Sequence, residues 1–383
     1  MSQTATLADW RNPPQNRWAF QHIDQILPVA TIGAAPSAAA PAEVAPDAGR
    51  LAGFSVADGR GGTLDLEGFL AATDTDGLLV LKDGRAVFET YRQGLEPQRP
   101  HILMSATKAV IGLLAGALHG AGLLDLEAPI ETLAREAAGG PFAGASVRQL
   151  LDMRAGVRLT PEEAARYAGA CGWDPPAPGF EGVGLAEFFA GLKGPPAQHG
   201  GPFAYVSANI DLLGLAIEQS TGRRVSELIE ELIWRPMGAS TPAWITLAPD
   251  GTPRCTGGVC ATLRDFARLG QVVADGGRAG AAQIVPQAWI EDLMRGGDKD
   301  AWAKGEWGGL FTKVHRQMSC RAGWYVTHDT PGTLFAMGIH GQNLFVDIAR
   351  RIVIAKLSSQ PEPFDYAAAM LTQRGAAALA KLA

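Results

Sequence analysis

Residues 332–359 read "GTLFAMGIHGQNLFVDIARRIVIAKLSS". Apolar stretches there alternate with short breaks, the pattern of consecutive antiparallel strands. The chain then closes with "FDYAAAMLTQRGAAALAKLA" (364–383), a helix able to cover one face of such a sheet. A matching signal lies far upstream, where "GLLVLKDGRAVFETY" (77–91) alternates around Asp83-Gly84 as a hairpin does. The segments between are helical in character. "TKAVIGLLAGALHGAG" (107–122) has an apolar stripe with a glycine stop, and "SVRQLLDMRAG" (146–156) has a serine cap and a glycine end. "SANIDLLGLAIEQSTG" (207–222) and "RVSELIEELIWRPMG" (224–238) follow the same design. Strands at both ends around a helical middle predict an α+β fold. One antiparallel sheet flanked by helices is formed from both chain ends, an all-helical domain is inserted, and a cleft lies between the two parts. The expected boundaries are an extension with an Ala/Pro-rich linker over 1–50, an α/β domain over 51–104 and 255–383, and a mainly helical domain over 105–254. Within the extension, "PVATIGAAPSAAAPAEVAPDAG" (28–49) shows no period, whereas Trp10, Trp18 and Phe20 are apolar enough to dock on the body.

The bulk properties narrow the function. A chain of 383 residues with 47% hydrophobic and 19% charged residues has the composition of a soluble globular protein. Its net charge of -6, with scattered basic residues, argues against nucleic acid as a partner. No stretch approaches the roughly 20 apolar residues of a membrane helix. "MSQTATLADWRNPPQNRWAF" (1–20) lacks the basic start and apolar core of a secretion signal. Cys171, Cys255, Cys260 and Cys320 show no paired C-x-x-C spacing and read as small buried hydrophobes. A cytoplasmic protein with no cofactor or metal is expected.

Chemistry enters at "HILMSATKAVIGLL" (101–114), which puts Ser105 and Lys108 three positions apart at the head of the first helix. Residues at that spacing share a face. The first turn also offers unpaired N–H groups and the positive dipole end to a developing negative charge. An ammonium beside a serine suits a nucleophile with its activator; a helix cap followed by a solvated lysine is the plain alternative. Tyr205 and Ser207 lie in the Gly/Pro-bounded loop of "GGPFAYVSANIDLLG" (200–214). A tyrosine near an ammonium can act as phenolate and accept the serine proton; a phenol packed on the core is the other reading. In "FAMGIHGQNL" (335–344), Gly338 and Gly341 let backbone approach a ligand. An amide of that strand, paired with that of Ser105, would form an oxyanion hole, and His340 lines the site or closes a strand end.

S-A-T-K at 105–108, Y-V-S at 205–207 and the glycine-rich late strand follow in the order of the serine β-lactamase and penicillin-binding protein superfamily, which the chain resembles. The resemblance is stronger to its 6-aminohexanoate-dimer hydrolase (nylon-oligomer hydrolase) and carboxylesterase branch. It rests on "NPPQNRWAF", "YVSANIDLLG", "GGVCATLRDFARLG" and "GIHGQNLFVDIARRIVIAKLSSQPEP". It implies a β-lactamase-like fold, with Ser105 as nucleophile, Lys108 as the cation beside it and Tyr205 as general acid/base. It further implies Ser105 and Ile339 amides as the oxyanion hole, Trp173 as a cleft aromatic, Ser207 where penicillin-directed members carry Asn, and a homodimer. Two departures qualify it. "AMGIHG" (336–341) lacks the lysine that holds a drug carboxylate, and "RYAGACGW" (166–173) lacks the acidic residue that favours the amino end of the nylon dimer. The expected function is therefore hydrolysis of small amides or esters through an acyl-enzyme. A penicillin-interacting carboxypeptidase or weak β-lactamase, and a non-catalytic binding protein of the same fold, are the alternatives.

Overall fold

The computed structural model describes residues 5–35, 51, 53–176, 178–179 and 182–383, so positions 36–50 of the Ala/Pro-rich stretch lie outside the described residues. The hairpin forms as expected from β1 (Thr75–Lys82) and β2 (Arg85–Tyr91). Asp83 and Gly84 both turn with positive φ, 50° and 74°, as a two-residue hairpin connection requires. Five strands follow late in the chain: β3 (Met318–Arg321), β4 (Trp324–Thr327), β5 (Thr333–Gly338), β6 (Gln342–Asp347) and β7 (Ile352–Ser358). All seven pair antiparallel in the order β3-β4-β5-β6-β7-β1-β2. The two chain ends meet between β7 and β1, with Ile354 opposite Val80 and Ala355 opposite Leu79.

The helices that bear on the site are α1 (Thr107–Gly120), α2 (Ala208–Thr221), α3 (Leu263–Ala274) and α4 (Tyr366–Leu382). α3 covers one face of the sheet so closely that a Cβ added to Gly270 would lie 2.6 Å from Val353 Cγ1. α4 covers the other face, where Ala376 and Ala380 roof a cavity of about 210 Å³ floored by Phe345 and Ile354. Every residue of β7 is consequently buried. That explains why its first four residues, Ile352 to Ala355, are a continuous apolar run rather than an alternation.

A second, four-stranded antiparallel sheet has the order Val29–Ile32, Ala243–Thr246, Val259–Ala261, His101–Ile102. Periodicity does not reveal it, because strands of two to four residues are too short to show a period. Two of its strands come from stretches read as linker and as helical. It straps the N-terminal segment to the body: Trp10 and Phe20 are buried, while half-buried Trp18 stacks on His22 at 4.3 Å. The four cysteines are buried and unpaired. No helix among the described residues is long and apolar enough to cross a membrane.

β7 also carries a buried lysine, Lys356, whose Nζ donates to Thr73 O at 3.2 Å and is bonded to Ser358 Oγ. Burial pulls its pKa from 10.5 down to about 7, against Asp76 and Asp74, which push it up. Between those values the folded chain has released a proton that the unfolded chain keeps. This group's contribution to stability therefore rises with pH across that window. The difference in unfolding free energy between wild type and Lys356→Met should grow by ~1 kcal/mol per pH unit from about pH 7.5 to 9. Urea midpoints read it, and a pH-independent difference would show that Lys356 keeps its proton.

Candidate active site

Ser105 does not stand inside α1 but just before it, in a 3₁₀ turn over Met104–Ala106 that runs into the helix at Thr107. Met104 takes a positive φ of 48°, a conformation that costs a non-glycine residue ~1–3 kcal/mol and persists only where packing enforces it. Here a fully buried Met104 is pinned between the small sheet and the end of β5, and the turn carries Ser105 into a half-buried position.

Lys108 follows one turn later, 2% exposed. Its Nζ donates to Ser105 Oγ at 3.0 Å and to Thr256 O at 2.7 Å. Tyr205, whose number is 100 higher, arrives in the loop before α2, and its hydroxyl is hydrogen-bonded to Ser105 Oγ at 2.7 Å. The Lys108 Nζ also lies 4.9 Å from the centroid of the Tyr205 ring, so cation, phenol and serine form one contiguous unit. The loop is held by backbone bonds from Phe203 N–H to Ala301 O (2.9 Å) and Ala204 N–H to Met153 O (3.0 Å). The Tyr205 ring stacks on Trp307 with centroids 4.5 Å apart and planes 17° apart. Tyr325 packs behind Trp307 at 5.8 Å. Burial, then the neighbouring Tyr205, pushes the Tyr325 hydroxyl well above its ordinary range, so this second phenol stays protonated.

The sheet reaches the site through glycine. A Cβ on Gly338 would fall 2.5 Å from Leu103 O and 3.0 Å from Ser105 N, so only glycine allows the end of β5 to lie against the turn. Ile339 is the next residue, half-buried in the turn joining β5 to β6. α1 is fixed from its other side in the same way. A Cβ on Gly112 would collide with Ala322 O at 1.9 Å, in the turn between β3 and β4. Alanine at a helix interior gains ~1 kcal/mol in propensity over glycine, but a backbone collision costs ~1–3 kcal/mol or more. Gly112→Ala is thus expected to destabilise, and a urea midpoint equal to or above that of wild type would contradict this packing.

The remaining expected residues divide. Ser207 is the half-buried residue preceding α2, two positions after Tyr205, and its side chain makes no capping bond. Trp173 is 7% exposed and packs by the site, its ring 2.9 Å from where a Cβ on Gly257 would stand. Its indole N–H is committed to Thr246 Oγ1 at 3.1 Å, and its carbonyl accepts from Trp10 Nε1 at 2.9 Å. His340 goes elsewhere. It is buried under Phe20 at 5.0 Å with Nδ1 bonded to Gln360 O at 2.7 Å, and burial lowers its pKa. It thereby follows the strand-end reading rather than the site-lining one. Sequence reasoning missed Thr256 and Trp307. Thr256 acts through its carbonyl, which leaves no residue-type signal; Trp307, in "KGEWGGL" (304–310), is marked only by an aromatic among glycines.

The chain has known relatives. Residues 47–379 match the family described as Beta-lactamase. The 6-aminohexanoate-dimer hydrolase of Paenarthrobacter ureafaciens is 34% identical over 364 residues, 94% of this chain and 89% of that protein. A solved structure described as a "putative 6-aminohexanoate-dimer hydrolase" from Bacillus anthracis superposes with a TM-score of 0.86 at 24% identity, over 99% of this chain and 97% of the other. A family VIII carboxylesterase structure gives 0.57 at 17% identity, over 79% of this chain and 92% of the other. At those identities the two structures show a shared fold. Together with the match over most of the sequence, they establish that this chain belongs to the beta-lactamase family of serine hydrolases.

Proposed function

We propose that the protein cleaves small amides or esters through an acyl-enzyme on Ser105, in the manner of the 6-aminohexanoate-oligomer hydrolases and carboxylesterases it is similar to. The observation that carries this reading is the convergence of Lys108 Nζ at 3.0 Å and Tyr205 Oη at 2.7 Å on one serine oxygen. In acylation the Tyr205 oxygen, as phenolate beside the Lys108 ammonium, accepts the Ser105 proton while Oγ bonds to the carbonyl carbon. The amides of Ser105 and Ile339 hold the resulting oxyanion. Tyr205 returns the proton to the departing amine or alcohol as the carbonyl reforms. A water then bonds to the acyl carbon as it gives a proton to Tyr205. When the second tetrahedral intermediate collapses, the bond from carbon to Ser105 Oγ breaks, Tyr205 returns that proton to Oγ, and the acid is released.

Substrate choice follows from the departures at 336–341 and 166–173. With no lysine on the oxyanion strand, a drug carboxylate lacks its anchor, and with no acidic residue at 166–173 the amino end of the nylon dimer lacks one there. Ester cleavage is accordingly expected to exceed amide cleavage, with Ser207 and Trp173 meeting the substrate. We assign the α/β domain to 51–104 and 255–383 and the helical domain to 105–254, the site lying where they meet. The cytoplasm, which keeps four unpaired thiols reduced, is the expected compartment, and a homodimer the expected assembly.

A panel of p-nitrophenyl acetate, p-nitrophenyl butyrate and the aminohexanoate dimer tests the proposal, together with a fluorophosphonate probe. The esters should turn over faster than the dimer, and the probe should label Ser105. Absence of both turnover and labelling would leave a binding protein. A stable penicillin adduct at Ser105 would favour a penicillin-interacting role.

A further inference from the structure

The ammonium of Lys108 is aimed by a carbonyl, that of Thr256, and that carbonyl is itself held in place. Asp211, in the first turn of α2, is fully buried and accepts from Thr256 N–H through Oδ1 at 2.9 Å. Its Oδ2 pairs with the guanidinium of Arg254, 3% exposed, and accepts from the Tyr167 hydroxyl. Arg254 in turn lies against two aromatic rings, 4.9 Å from the Trp173 centroid and 5.5 Å from that of Tyr167. A continuous chain of contacts therefore runs from Asp211 to Thr256 N–H, from Thr256 O to Lys108 (2.7 Å), and from Lys108 to Ser105 (3.0 Å).

We propose that the buried Asp211–Arg254 pair is a positioning element for the hydrolysis, setting the Lys108 ammonium through Thr256 and fixing Trp173 beside it. The inference rests on the reading of Ser105 as nucleophile. Tyr205 stands just ahead of α2 and Asp211 in its first turn, so one helix start fixes both groups that meet on Ser105. Stability alone gives little reason for an ion pair here, because well-packed apolar residues often replace a buried pair without loss. A charged, forked pair fixes direction, which apolar packing does not. A shift of ~1 Å in a reacting group can cost about 100-fold in rate.

The test uses the full-length protein, p-nitrophenyl butyrate and fluorophosphonate titration of Ser105, so that rate is expressed per labelled site. Asp211→Asn should lower per-site kcat about 10- to 100-fold. KM should stay within about threefold of wild type, since the substrate's own contacts remain. The labelled fraction should be unchanged. Arg254→Lys keeps the buried charges balanced but loses the planar fork, and should show a smaller per-site kcat loss of about 3- to 10-fold. A folded Asp211→Asn protein with per-site kcat within about twofold of wild type overturns the proposal. A loss lying wholly in KM or in the number of labelled sites overturns it too, since that marks a binding or structural role. Where Asp211→Asn does not fold, Arg254→Lys decides alone, by the same twofold limit. Failure of the probe to label wild-type Ser105 defeats the nucleophile reading instead, a different result from labelled but unaffected variants.

Discussion

Ser105→Ala is expected to lower kcat for p-nitrophenyl butyrate by about 10⁴- to 10⁶-fold, the scale on which loss of a nucleophile removes covalent catalysis. The substitution deletes one oxygen and leaves its surroundings in place. Lys108 keeps its bond to Thr256 O at 2.7 Å, and Tyr205 keeps its stack on Trp307 at 4.5 Å. The melting midpoint and the affinity for a product-like acid should therefore remain near wild type. Residual turnover comes from oxyanion donors acting on a bound water, worth far less than the covalent route. An ester rate within about tenfold of wild type would move the chemistry away from this serine.

Tyr205→Phe is expected to cost about 10²- to 10⁴-fold in kcat, the usual value of a positioned general base. The variant is informative because it separates the hydroxyl from the ring. Phenylalanine keeps the stack on Trp307 and the face presented to Lys108, and loses only the 2.7 Å bond to Ser105 Oγ. KM should change little, and single-turnover acylation should slow in step with kcat. A loss below about tenfold would assign proton acceptance to Lys108, the other group on the same oxygen. Fluorophosphonate labelling of the variant, slowed but complete, checks that the serine is still in place.

Much of this was legible in the chain. The hairpin at Asp83-Gly84, the strand run from residue 333 to 358 and the terminal helix are local patterns, written in alternation, turn residues and apolar stripes that each segment carries on its own. The strand at 243–246 was not legible. Four residues do not display a period, and its partners at 29–32 and 259–261 are distant in sequence. The turn at Met104 was not legible either, since its positive φ belongs to a residue type that gives no warning of it. His340 shows the opposite failure. Its residue type suggested chemistry, and packing under Phe20 with Nδ1 spent on Gln360 O gave it a structural place.

The sequence by itself determined the long helices, the longer strands of the seven-stranded sheet and which side chains are capable of the chemistry, because each of these depends on residue type at short spacing. The spacing of Ser105 and Lys108 is of that kind: three residues along a helical turn fix their common face. Only the tertiary structure decided that Tyr205 would meet them within 2.7 Å, that Thr256 would offer its carbonyl, and that glycines at 112 and 338 would let helix and sheet close to backbone contact. Such distances depend on how whole layers pack, and close packing between segments far apart in the chain is a property that no local pattern encodes.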